Sequence, residues 1–110
     1  MRKDSERLAA RIRGLFQHHD GYSERKMFGG VCFMLNGNMC VAPWKDHLMV
    51  RLPKDQHEQT QSDPHAKPMD ITGKVMKGWA LIEPDGIETA EGLDRWIQRA
   101  AEFVETLPAK

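Results

Sequence analysis

Five histidines, His18, His19, His47, His57 and His65, and two cysteines, Cys32 and Cys40, are the residues of this chain best suited to metal or nucleophile chemistry. Their spacing argues against both. Two metal ligands on one helix need a separation of three or four residues, whereas His18 and His19 are adjacent and diverge by roughly a third of a turn. His57 and His65 fall in a polar segment where exposure to water explains them. Seven residues separate the cysteines, which matches neither a CxxC redox pair nor a zinc knuckle. Cys32 and His47, taken as nucleophile and base, would stand about 10 Å apart across two strand spacings. Asp46, Asp70 and Asp85 occupy turn positions, where such side chains bond local backbone. The expectation is a protein with no catalytic residues, no metal site and no cofactor.

Glycine-rich phosphate loops fare no better. Gly29 and Gly30, in "RKMFGGVCFMLNGN", precede a strand-like run rather than the helix whose N-terminus would complete an anion site. Gly73-Lys74 resembles the tail of a P-loop, but Val75 stands where a Ser or Thr would reach magnesium. The glycine pair is therefore read as a sheet feature, a kink or bulge in one strand.

The elements around these residues follow from periodicity. Leu8, Ile12, Leu15 and Phe16 form one stripe of an N-terminal helix, with Asp4 or Ser5 as its N-cap and Gly21 as its stop. Residues 25 to 52 read as three antiparallel strands, about 25–35, 38–44 and 47–52, turned by Asn36-Gly37 and Lys45-Asp46. In the third, Leu48, Val50 and Leu52 face one way and His47, Met49 and Arg51 the other. The first is apolar on both sides, with Met27, Val31, Phe33 and Leu35 opposed to Phe28, Cys32 and Met34. Such a sheet must be covered twice, by helices on both faces or by a second subunit.

The Asn36-Gly37 turn also decides the fate of the thiols. A two-residue turn sets Leu35 opposite Asn38 and Phe33 opposite Cys40, with Cys32 on the other side of the sheet. A turn one residue longer brings both cysteines to one face, but diagonally, about 7 to 8 Å apart. Neither register makes a disulfide.

Beyond Pro53, "PKDQHEQTQSDPHAK" reads as a short exposed helix and a loop, then strands follow at about 68–72 and 76–82 around Gly73. A last helix runs from about 89 to 106, with Thr89 as N-cap and Leu93, Trp96, Ile97, Ala100 and Val104 on one stripe. The fold class is α+β, an antiparallel sheet of about five strands in the order α-β-β-β-α-β-β-α.

Composition bounds the function classes. A chain of 110 residues that is 40% hydrophobic and 29% charged is one domain, residues 1–110, with a single core. Sixteen Lys and Arg balance sixteen Asp and Glu, so no global field draws the chain to nucleic acid. Apolar runs fall well short of the roughly 18 residues of a membrane span, and the charged start "MRKDSERLAARIRGL" lacks a signal peptide's apolar centre. A cytoplasmic location is expected. Arg25, Lys26, Arg51, Lys67, Lys74 and Lys77, interleaved with Trp44 and Trp79, could stack and hold nucleic acid. The simpler reading has cations rimming a sheet whose tryptophans pack.

Five stretches together resemble the N-terminal domain of the TfoX/Sxy competence-regulator family: "RKMFGG" at 25–30, "NGNMC" at 36–40, "DHLMVRL" at 46–52, "KPMDITGKVMKGWALI" at 67–82 and "LDRWIQRAAEFVETLPAK" at the C-terminus. The resemblance implies a secretion-chaperone-like α+β fold and carries over no catalytic residue set. Full-length competence regulators add a C-terminal domain and act with a transcription activator at promoters, so this chain looks like a stand-alone N-terminal domain.

The expected function is a non-enzymatic protein-interaction module, an accessory related to transcription or competence, with a protein partner and a symmetric homodimer as one way to cover the sheet. Its candidate interaction surface comprises Arg25, Lys26, Phe28, Met34, Met49, Arg51, Lys77 and Trp79. The alternatives are a small enzyme or ligand-binding domain with a pocket near residues 51–77, where Arg51, Asp70 and Lys77 would converge, and a nucleic-acid-binding domain.

Overall fold

The computed structural model describes residues 2–16, 19–27, 30–69, 73 and 76–109, the side chains of 2–5 and 27 excepted. Helix α1 (Arg2–Phe16) leads into strands β1 (Tyr22–Met27), β2 (Gly30–Leu35), β3 (Asn38–Trp44) and β4 (His47–Arg51). A 3-10 turn and the short helix α2 (His57–Gln61) follow, then β5 (Ala66–Pro68), β6 (Trp79–Ile82) and the long helix α3 (Ala90–Val104). The six strands form one antiparallel sheet in the order β1-β2-β3-β4-β6-β5. The α+β class and the approximate order agree with the sequence reading, with one strand more than expected.

The extra strand comes from the segment read as one run over 25–35. Met27 and Gly30 are antiparallel partners, so β1 ends and β2 begins there. The chain reverses at the place where a kink within a single strand was expected. Gly29 itself, and Phe28 before it, lie outside the described residues.

The bulge of this sheet is elsewhere. Leu35 pairs with Asn38 and Met34 with Met39, but Phe33 pairs with Val41, which leaves Cys40 as the extra residue. Cys40 and Val41 thereby both reach the helix-side core, as the two residues of a bulge do when they oppose one partner. The two-residue turn is the correct alternative at Leu35 and Asn38, with Asn36 and Gly37 both at positive φ (54° and 82°). Phe33 facing Cys40 is not.

Other boundaries shift for local reasons. Helix α1 begins at Arg2, so Asp4 and Ser5 lie within it rather than before it, and it ends at Phe16. Gly21, at φ +80°, belongs to the turn into β1 instead. Strand β6 starts at Trp79 rather than near 76, because the Trp79 N–H closes a turn on the Met76 carbonyl (3.1 Å) through Gly78 at φ +87°. The strand expected over 68–72 is found as Ala66–Pro68, and residues 70–72 lie outside the described residues. Thr89 caps α3 as expected, its hydroxyl accepting from the Gly92 N–H at 2.9 Å.

Both α1 and α3 pack on one face of the sheet. Leu8, Ile12 and Phe16 of α1 and Leu93, Trp96, Ile97, Ala100 and Val104 of α3 meet Phe33, Leu35, Val41, Leu48, Val50 and Ile82 there. Arg11 ties α1 to the start of α3, its guanidinium donating to the Ile87 carbonyl at 2.7 Å. The Asn38 side-chain amide donates to the Pro108 carbonyl at 2.9 Å and pins the chain beyond α3.

Candidate functional site

Strict alternation along β4 sends Leu48 and Val50 into the helix-side core and Met49 to the opposite face. The ladders extend that opposite face in both directions. Met49 pairs with Ala42 of β3 and with Leu81 of β6, Leu81 pairs with Lys67 of β5, and Arg25 of β1 pairs with Cys32 of β2. A transverse row thus crosses the sheet, apolar through its middle and ended by an exposed cation on each edge strand, Arg25 and Lys67.

Cys32, Ala42, Met49, Met69 and Leu81 form the buried cluster on this face, and half-buried Met39, Trp44, Met76 and Trp79 pack over it. Met76 donates its N–H to the Met69 carbonyl at 3.0 Å, which brings the two methionines together at the edge of the cluster. Met34, paired with Met39 across the β2–β3 ladder, adds a fifth methionine. No methionine contributes to the helix-side core among the described residues, which consists of Leu, Ile, Val, Ala, Cys and aromatics. One sheet therefore has two different apolar faces. Branched side chains lock the helices on one side, and flexible thioethers with two tryptophans make up the other.

Cations lie on both rings. The Arg51 guanidinium stands 5.6 Å from the Trp79 ring centroid, its cross-strand partner, and the Lys45 ammonium 5.9 Å from that of Trp44. The acidic groups nearby are matched: Glu83 approaches Lys67 at 3.9 Å, and Asp46 bonds His47 Nδ1 at 2.7 Å.

Titratable chemistry is not concentrated here. Burial pushes the Cys32 thiol up. On the other face, burial raises the Cys40 thiol to about 12, with Glu105 adding to the shift and Arg51 opposing it. Both cysteines are free and buried, and weakly nucleophilic as a result. The Glu24 carboxyl is held below the usual range by hydrogen bonds from Arg13, but that pair joins α1 to β1 on the helix side. Among the described residues no group of three His, Cys, Asp or Glu is placed to hold a metal.

Beside Trp79, a surface depression lined by Leu52, Pro53, His57, Thr60, Gly78 and Trp79 has no interior space for even a water-sized molecule. Ligand pockets run from roughly 300 Å³ upward. Arg51 and Lys77 do not line it, and Asp70 lies outside the described residues.

Of the residues singled out in the sequence, Arg25, Met34, Met49, Arg51 and Trp79 come to the methionine face. Met49 lies beneath its surface, fully buried. Lys77 is exposed in the turn before β6. Lys26 pairs with Val31 and so belongs to the helix side, and Phe28 lies outside the described residues. Met39, Trp44, Met69 and Met76 complete the cluster without having been chosen. Trp44 was within reach, since Ala42 and Trp44 share a face by alternation. Met69 and Met76 depend on tertiary packing.

Among the described residues no helix is long and apolar enough to cross a membrane. A family model described as the TfoX N-terminal domain matches residues 14–104. No curated protein matches the chain significantly.

Proposed function

This chain belongs to the TfoX N-terminal domain family, and we propose that it serves as a non-enzymatic protein-interaction module, an accessory related to competence and transcription, which docks its partner on the methionine and tryptophan face of its sheet. The segregation of side-chain types supports this reading: Met39, Met76, Trp44 and Trp79 are half-buried on that face, while the helix-side core holds no described methionine. Unbranched thioethers repack against differing surfaces at little cost, and half-exposed tryptophans supply large contact area with few rotatable bonds.

A pull-down from native lysate tests it. Wild type and a helix-side control, Arg95→Glu on the exposed face of α3, are expected to retain the same prey. Trp44→Ala with Trp79→Ala is expected to lose it while keeping the wild-type circular dichroism spectrum. Prey retained by the double variant, or lost by the control alone, contradicts the proposed face.

A further inference from the structure

Resting on that docking reading, we infer that the segment this face takes from its protein partner is acidic and carries a bulky apolar side chain. The charge pattern carries the inference. Across the strands of this face stand Arg25, Arg51 and Lys67, and the acid among them, Glu83, already approaches Lys67 at 3.9 Å. The described face therefore presents an excess of cations around an apolar centre. A carboxylate-bearing segment matches the rim, and a Leu, Phe or Met side chain matches the part-exposed Met39, Trp44, Met76 and Trp79 that pack over the buried centre.

Geometry sharpens the match. With its charge centre 5.6 Å from the Trp79 ring centroid, Arg51 sets a cation beside an indole, so one segment can present a carboxylate to the first and an apolar side chain to the second. Single-stranded nucleic acid is disfavoured by the half-burial of Trp44 and Trp79 against the methionine cluster, which limits the ring area open to a stacking base. A second copy of the chain is disfavoured as well. An isologous contact through this face gathers Arg25, Arg51 and Lys67 of both copies, with Glu83 to answer them.

Fluorescence anisotropy with defined probes tests the inference: a labelled peptide alternating Glu with Leu and Phe, its counterpart with Lys for Glu, a neutral counterpart with Ser, and a thymidine oligonucleotide. The acidic peptide is expected to bind, to weaken as salt rises, and to bind about tenfold or more weakly to Arg51→Glu, with a smaller loss for Arg51→Gln. Unchanged melting of Arg51→Gln shows that the loss is not one of folding. Equal or tighter binding of the lysine peptide or the oligonucleotide overturns the inference, as does self-association through the face in light scattering. Equal binding of the neutral peptide, lost in Trp79→Ala, also overturns it but leaves the docking face standing. If no probe binds, the acidic segment is excluded, and the lysate experiment alone then judges the face.

Discussion

The guanidinium of Arg51 and the indole of Trp79 face each other across the β4–β6 ladder, 5.6 Å from charge centre to ring centroid. Their coupling should be measurable without a partner. A double-mutant cycle of Arg51→Ala and Trp79→Ala on urea unfolding is expected to give about 0.5–1 kcal/mol of interaction energy. Additivity within error would show that the ring and the cation are merely adjacent.

Removing Trp79 itself should be tolerated better than removing a residue of the helix-side core. Ile97 is fully buried between α3 and the sheet, and Ile97→Ala is expected to cost about 2–5 kcal/mol. Trp79→Ala, half-buried over the methionine cluster, is expected to cost less than that range. Chemical denaturation of both variants checks the order, and a reversed order would mean that the methionine face is the principal core.

Two glycines should respond to alanine with opposite signs. Gly21 sits at φ +80°, and a Cβ there collides with the Asn36 side chain and comes within 3.2 Å of the Asn36 backbone nitrogen, whose N–H donates to the Gly21 carbonyl. Gly21→Ala is expected to destabilise by about 1–2 kcal/mol or more. Gly14 lies within α1 with nothing near its missing Cβ, so Gly14→Ala is expected to stabilise by about 0.5–1 kcal/mol. Thermal melts of the two variants decide the signs.

Neither thiol should react in the folded protein. Burial raises both, Cys40 to about 12, and both side chains are closed to solvent, so neither sulfur is open to attack on a reagent. A chromogenic disulfide reagent is expected to find no free thiol until denaturant is added, and then two. Fast native reaction of either cysteine would contradict its burial.

The Arg13–Glu24 pair sets a pH dependence. Hydrogen bonds from Arg13 hold the folded Glu24 carboxyl below its ordinary value, and the Tyr22 hydroxyl donates to the same carboxylate. The pair's stabilisation is therefore complete above the ordinary carboxylate pKa and fades as pH falls through the lowered one. Wild type is expected to melt above Glu24→Gln at neutral pH and to converge with it in acid. A gap that widens in acid would reverse the sign.

How much of this was legible in the sequence depended on whether the signal was local. Asn36-Gly37 announces its turn because both positions need positive φ, and the alternation of "HLMVRL" places Leu48, Val50 and Met49 on their correct faces. Thr89 before an apolar stripe marks α3. The reversal between Met27 and Gly30 was hidden because Met27 and Phe28 lead into the apolar run after the glycines, so that Gly29-Gly30 reads equally as a bulge within one strand or as a turn between two, and the polar "YSERKM" before it carries no strand alternation. The bulge at Cys40 defeats any count that assumes a strict period of two. The late start of β6 rests on Gly78, where a Cβ would lie 2.9 Å from the Leu52 carbonyl oxygen, a tertiary constraint. An apolar second face was readable from Cys32 and Met34. Its methionine character was not, because Met39, Met49, Met69 and Met76 meet only once the strand order is known.

That segregation gives the docking face its own reporter. With isotope-labelled methyl groups, titration of the acidic peptide is expected to shift the signals of Met39 and Met76 and the indole N–H signals of Trp44 and Trp79, while the methyl groups of Ile12, Leu93 and Ile97 stay in place. Movement of the helix-side methyl groups, with the methionines unchanged, would contradict the assignment of this face.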